Sequence, residues 1–348
     1  MAVEERAKMD ITSKSSPTPT RLRTASTSCI TPSHILASYV PPYLPKQNRK
    51  PTHSLQRDAS NPLNLYSFGM SGPQGQATFT GNVPVGPEGN ETALGSNFAI
   101  WMLSGMTPMP DGQTILGVFP ALNEGTSTNL YSTMVQMNVT SPYDAPPGGN
   151  PPFTRLGNTR LFYPNEVQYG TFALQAELDG YLYLYGSDKT GVKLARTPNT
   201  ASSIADRNQY SYYNSATSSW QTEPLTLNSA TGNILTWSST DLNGDPIGPN
   251  LGDVWFDNYH LTTVMMWGDQ GIDGTFWFSY ATTNNLEGPW STPVAIWTPP
   301  VPSECNGQNG DWNYQGHAHP GWDTTGKTLL ISYASCALYV SMATITWA

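Results

Sequence analysis

The sequence has little charge. Asp, Glu, Lys and Arg make up 12% of its 348 residues, about half the share of an ordinary soluble domain. The Ala, Glu, Lys and Leu that a coiled coil or helical bundle needs are scarce, which excludes both. No apolar run approaches the roughly 20 residues of a membrane helix. Lys and Arg number 16 against 25 Asp and Glu, a net charge of -9. That balance lacks the basic face a nucleic-acid partner would favour. There is no Gly-x-Ser-x-Gly elbow, no phosphate loop and no His-Glu-x-x-His. No Cys and His cluster suits zinc. Asp241-Leu242-Asn243-Gly244-Asp245 lacks the downstream Glu of a calcium loop and reads as a turn. What the chain does hold is 31 Gly, 30 Pro, 11 Trp, 18 Tyr and 10 Phe. A disordered chain would not carry so many aromatics. The composition is that of a turn-rich, aromatic-rich β protein with ample core.

Charge is unevenly spread. Residues 1–60 hold 9 of the 16 Lys and Arg and 4 of the 25 acids, a net of +5, so the rest carries -14. Tyr39 and Tyr43 are the only aromatics in that stretch. Rich in Ser, Thr, Pro and Arg, it cannot bury enough apolar surface to offset ordering entropy, and it lacks the apolar core of a secretory signal. It reads as a disordered tail or a misassigned start, with the folded domain over 61–348. Cys29 lies in this tail. Cys305 and Cys336 are close enough along the C-terminal region to suggest a disulfide, with two buried thiols as the alternative. The sequons Asn90-Glu91-Thr92 and Asn138-Val139-Thr140 fit a secreted chain weakly. With scarce Lys and abundant Asn, Ser, Thr and Trp, they set the expectation of an extracellular monomer.

Short runs of β-formers between Gly, Asp and Asn turns mark strands. They fall into groups: Phe98 to Tyr163, Thr171 to Asn214, Asp253 to Trp297, and Ala318 to Ile345. Each has three or four strands, and Thr171 to Asn214 and Asp253 to Trp297 span 44 and 45 residues, the size of a propeller blade. Trp255-Phe256-Asp257 before Val264-Met265-Met266-Trp267 matches Gly321-Trp322-Asp323 before Leu330-Ile331-Ser332-Tyr333, with equal spacing. Four blades and a partial fifth over 62–96 predict an all-β, five-bladed β-propeller, with completeness of the first blade left open. The last group has three strands, so closure needs one from the N-terminal part. A β-sandwich is the structural alternative.

In a blade the inner strand starts, and the second strand ends, on one face near the axis. That places Glu166, Asp188, Asp253 and Asp269 around one mouth, with Asp273, His317 and His319. Trp255, Trp312 and Tyr314 are near in sequence. Paired carboxylates perform acid–base glycoside hydrolysis, and aromatic faces stack on sugar rings. The predicted roles are acid and base for Asp253 and Glu166, and pKa tuning for Asp269 or Asp188. His317, His319, Trp255, Trp312 and Tyr314 are predicted to bind substrate. The plainer alternatives are a solvated loop acid at Glu166, turn-bonding acids at Asp188 and Asp269, and core tryptophans. Asp257 and Asp323 read as turn acids. His317 and His319 are taken to alternate, so that one points into the channel.

Gly248-Pro249-Asn250-Leu251-Gly252-Asp253-Val254-Trp255, Trp312-Asn313-Tyr314-Gln315-Gly316-His317-Ala318-His319-Pro320, Tyr169-Gly170-Thr171-Phe172 and Val192-Lys193-Leu194-Ala195-Arg196 together resemble a family. It is the fungal and actinobacterial domain of unknown function 4185, over about 62–348. The resemblance implies a five-bladed propeller, and for some bacterial members endo-D-arabinanase activity. It implies acids at the starts of inner strands, matching Glu166 and Asp253, and a histidine near a central ion, matching His317 or His319; a single calcium is the ion expected. The first-blade acid of that pattern has no match in residues 1–60. The functional expectation is a secreted glycoside hydrolase on a furanose-containing or cell-wall polysaccharide, with a non-catalytic glycan- or protein-binding propeller as the alternative.

Overall fold

A computed structural model of the chain describes residues 28–30, 98–100, 107–109, most of 114–138, 153–156 and most of 160–348. The expected partial blade over 62–96, Trp312, Cys305, Cys336 and Asn90 lie outside the described residues, as do the side chains of Tyr314 and Asn138.

The described strands, in chain order, are β1 (Ser28–Ile30), β2 (Phe98–Ile100), β3 (Thr107–Pro108), β4 (Thr114–Asn123), β5 (Thr128–Asn138), β6 (Phe153–Arg155) and β7 (Ala173–Ala176). Then come β8 (Tyr181–Asp188), β9 (Gly191–Pro198), β10 (Ser211–Asn214), β11 (Ser219–Gln221), β12 (Asn233–Thr236), β13 (Ser239–Thr240) and β14 (Pro246–Ile247). The last are β15 (Asn250–Asp257), β16 (Thr262–Gly268), β17 (Phe276–Tyr280), β18 (Val294–Trp297), β19 (Asn313–His319), β20 (Thr328–Ser335) and β21 (Tyr339–Thr346). The one described α-helix, Ala201–Ile204, is a single turn capped by Thr200. No described helix is long and apolar enough to cross a membrane.

Among the described residues four larger antiparallel sheets result, beside the two-stranded β13-β14. They order as β2-β4-β5-β6 with β3 also on β4, β7-β8-β9-β10-β11 with β12 also on β9, β15-β16-β17-β18, and β19-β20-β21-β1. Three of the four match the predicted groups; the first loses Arg160 to Tyr163, which forms only the bridge Ser132↔Phe162. Strand β1 pairs Cys29 with Ser341 on β21 and supplies the missing fourth strand of the last sheet. A stretch inside the expected tail is thus a sheet strand. The first strands β3, β7, β15 and β19 run side by side, the arrangement of blades around an axis.

The second strand of each sheet explains this packing. Along β8, Leu182 and Leu184 face the first sheet and join Leu116, Val118 and Met134. Tyr183 and Tyr185 face the opposite way, with Val254, Met265 and Trp267 of the third sheet. Along β16, Val264 and Met266 turn to Ala318, Ile331, Tyr333 and Ala343 of the fourth sheet. Side chains alternate at period two, so a strand sandwiched between two sheets must be apolar at every position. That is why these strands read as unbroken apolar runs.

Neighbouring sheets approach closely where two residues of inner strands lack side chains. A Cβ on Gly252 would lie 2.2 Å from the Phe172 ring, and one on Gly316 would lie 2.4 Å from the Phe276 ring. Gly252 N–H also bonds the Phe172 carbonyl on the neighbouring sheet, at 3.3 Å. Gly252→Ala is expected to destabilise the fold by ~1–3 kcal/mol through overpacking. A denaturant midpoint equal to that of the parent chain would exclude this tight approach.

Candidate functional site

Asp253 stands on β15 and His317 on β19, in adjacent sheets. Asp253 was expected to open its strand and His317 to precede one that begins at Ala318. Both lie within their strands, because β15 starts at Asn250 and passes a register shift at Leu251, whose φ is 40°. β19 likewise starts at Asn313 and carries a register shift between Tyr314 and His317. The Ala318 N–H donates to Asp253 Oδ2 at 2.7 Å, and His317 Nδ1 lies 3.2 Å from the same oxygen. The other oxygen, Oδ1, accepts no hydrogen bond from a described residue. The two side chains remain 20% and 22% exposed, so the pair is open to a ligand.

The expectation that only one histidine points inward is overturned. Residues two apart on a strand share a face, and one residue of β20, Ser332, is both the cross-strand partner of His317 and the hydrogen-bond partner of His319. Burial pushes the His317 imidazole down, but the Asp253 carboxylate outweighs this through its charge and hydrogen bond, and the net shift is up. Burial pushes His319 down, Asp253 opposes it, His317 adds to the fall, and the net is down. His319 Nε2 lies 2.7 Å from Ser332 Oγ. Ser332 is the cross-strand partner of His317 in the β19–β20 register. Sequence reading missed Ser332; only the register, with its shift, brings it beneath the histidines.

The other predicted acids are not gathered here. Glu166 is held by Arg207, whose Nη1 donates to Oε2 at 2.8 Å and Nη2 to Oε1 at 2.6 Å. The Tyr163 N–H adds a bond to Oε2 at 3.0 Å. Such a bidentate pair with guanidinium is a strong, geometrically fixed form of charge-assisted bond, and it occupies both oxygens of Glu166. Asp188 is likewise a structural acid. Its Oδ1 takes Lys193 Nζ at 2.7 Å, Thr190 N–H at 2.9 Å and the Thr190 hydroxyl at 2.6 Å. Its Oδ2 takes Asn228 N–H at 2.6 Å. Both side chains of this ion pair are out of solvent. Burial pushes Asp188 up, the bonds from Lys193 and Thr190 outweigh it, and the carboxyl sits below its ordinary value. Asp269 is buried, its N–H bonded to the Thr275 carbonyl at 2.7 Å. Trp255 packs against the cluster between the third and fourth sheets, as a core tryptophan does. Asp257 and Asp323 are turn acids as read: Asp257 Oδ2 accepts from His260 N–H at 3.1 Å, and Asp323 Oδ2 accepts from Thr328 N–H at 2.9 Å.

Among the described residues no group of three or more His, Cys, Asp or Glu is arranged to hold a metal. Asp253, His317 and His319 suit calcium poorly. That ion takes about 6–8 oxygens, whereas this set offers two imidazoles and a carboxylate with one oxygen already bonded twice.

No protein-family model matches the chain, and no curated protein does. Solved structures do match. A putative hydrolase from Bacteroides ovatus is 15% identical, with a TM-score of 0.49, over 71% of this chain and 61% of its own. This chain therefore spans less than two thirds of that protein. An α-L-arabinanase from Cellvibrio cellulosa is 11% identical, with a TM-score of 0.43, over 76% of this chain and 80% of its own. An exo-1,5-α-L-arabinanase from a bovine ruminal metagenomic library is 10% identical, with a TM-score of 0.44, over 76% and 81%. At these values the site has to be read from its own residues.

Two outcomes follow from the charges. Asp188→Asn leaves Lys193 buried without its counter-charge and is expected to cost about 3–5 kcal/mol, measured by denaturant unfolding; a loss under about 1 kcal/mol would contradict a buried pair. Because Asp188 titrates lower in the folded chain, its contribution is present above the unfolded value of 3.8 and is lost as pH falls through the folded one. His317 has the opposite sign. Its folded value is raised, so the Asp253–His317 pair stabilises fully below the unfolded value of 6.5 and loses that contribution as pH rises through the folded one. In Asp253→Asn only burial remains, and the His317 midpoint in an NMR titration is expected to fall. An unmoved midpoint would show that the two groups do not interact.

Proposed function

We propose that the chain is a secreted, carbohydrate-active β-propeller of five blades that hydrolyses a furanose-containing or cell-wall polysaccharide, with Asp253 as its working carboxylate. The observation that carries the reading is the state of Asp253: among the described residues its Oδ1 accepts no hydrogen bond, whereas both oxygens of Glu166 and of Asp188 do, and it stands on an inner strand, partly exposed. Its Oδ2 is anchored by Ala318 N–H and His317, which aims Oδ1. Asp253 Oδ1 would take a proton from water as that water attacks the anomeric carbon and the glycosidic C–O bond breaks, the departing oxygen taking its proton from a second carboxylic acid. The resemblance of the Asp253 and His317 motifs to a family with arabinan-cleaving members supports the same substrate class.

One observation favours a second reading, a propeller that binds glycan without cleaving it. Hydrolysis uses two carboxylates, and neither Glu166 nor Asp188 supplies a free partner to Asp253.

The test incubates the full chain and its Asp253→Asn form with arabinans and fungal wall glycans and counts new reducing ends. Release by the parent chain, with loss of at least about 100-fold in Asp253→Asn, is the outcome expected. No release, with binding retained in both forms, selects the glycan-binding reading. Equal release by both forms would remove Asp253 from the chemistry.

A further inference from the structure

We infer that Ser332 is a positioning residue which holds His319 as its Nδ1–H tautomer, so that the mouth offers one polyol ligand an acceptor at Asp253 Oδ1 and a donor at His319 Nδ1. This names the ligand feature recognised at the site, adjacent hydroxyl groups, and to that extent rests on the glycan reading. The tautomer itself does not.

The argument starts from the Ser332 hydroxyl. It has one proton to give, and among the described residues it bonds only to His319 Nε2, at 2.7 Å. If Nε2 carried the proton and donated to Oγ, the hydroxyl proton would be left without an acceptor in a partly buried strand. If Oγ–H donates to Nε2, both groups are satisfied. A neutral imidazole has one N–H, and the bond made by one nitrogen decides which nitrogen bears it. The proton then sits on Nδ1.

The surroundings agree. His319 precedes the 3-10 turn Pro320–Trp322 and makes no side-chain bond to it, so Nδ1 is not used as a cap. Burial opposes a second proton on His319, and His317 adds to that against the pull of Asp253. His317 therefore spends its Nδ1 on Asp253 Oδ2 while His319 keeps its Nδ1–H available. The same carboxylate retains Oδ1. A hydroxyl both donates and accepts, so two neighbouring hydroxyls of a sugar can satisfy this acceptor and donor together. Asp253, on β15, and His319, on β19, come from two adjacent sheets.

The experiment measures the imidazole nitrogen shifts of the full chain near neutral pH by long-range nitrogen–proton correlation, with His319→Gln assigning the signal. His319 is expected to show a protonated Nδ1 and an unprotonated Nε2. Ser332→Thr keeps a hydroxyl and is expected to retain that pattern. Ser332→Ala is expected to move the majority of His319 to the Nε2–H form. A parent chain with Nε2–H at His319, or an Ala variant that keeps Nδ1–H, overturns the inference. If the Ala variant does not fold, the parent chain and the Thr variant still decide it. An Nδ1–H tautomer in a chain that neither cleaves nor binds any glycan would sink the glycan reading and leave the positioning role standing.

Discussion

The structure depends on second strands that are apolar on both faces. β8 and β16 each sit between two sheets and send alternate side chains into two different cores. Val264 and Met266 face one sheet, while Met265 and Trp267 face the other. Burying such a strand removes apolar surface on both sides, at roughly 25 cal/mol per Å². A strand of this kind has no solvent face, so each sheet is stable only between neighbours. The close approach of the inner strands follows, and with it Gly252 and Gly316, where no side chain fits.

The mouth inherits its geometry from that approach. Asp253 and the pair His317 and His319 belong to different sheets, and the Asp253 carboxylate on β15 reaches across to the Ala318 N–H and the His317 ring on β19. Charge then distinguishes two chemically identical rings. His317 meets the carboxylate directly and is favoured as a cation. His319 stands two residues on, against the Ser332 hydroxyl, where burial first and His317 second favour it as neutral. Asp188 and Glu166 show the opposite arrangement. Each is matched by a cation, Lys193 or Arg207, and ties a turn or loop to its sheet.

Much of the architecture was legible along the chain. The strand groups, the repeat around Trp255-Phe256-Asp257 and the need for a closing strand are all visible, because strand period and turn residues are local properties. Ser28–Ile30 as that closing strand was not visible. A three-residue edge strand surrounded by Ser, Thr and Pro has no pattern of its own and is defined by its partner β21. The two histidines were misplaced by one face, although the period-two rule alone puts both on the same side.

The sequence by itself determined an acidic, aromatic-rich β protein of repeated sheets, with Asp253 and the His317-Ala318-His319 segment set apart as candidates. Composition and spacing suffice for that, since they act over a few residues. The tertiary structure decided which acids are free. Arg207 is 41 positions from Glu166 and His317 is 64 from Asp253. Lys193 is near Asp188 in sequence, yet the pair matters because folding removes both from water. Whether a carboxylate is neutralised by a buried cation or left with an open oxygen depends on distance and solvent, and neither exists until the sheets have packed.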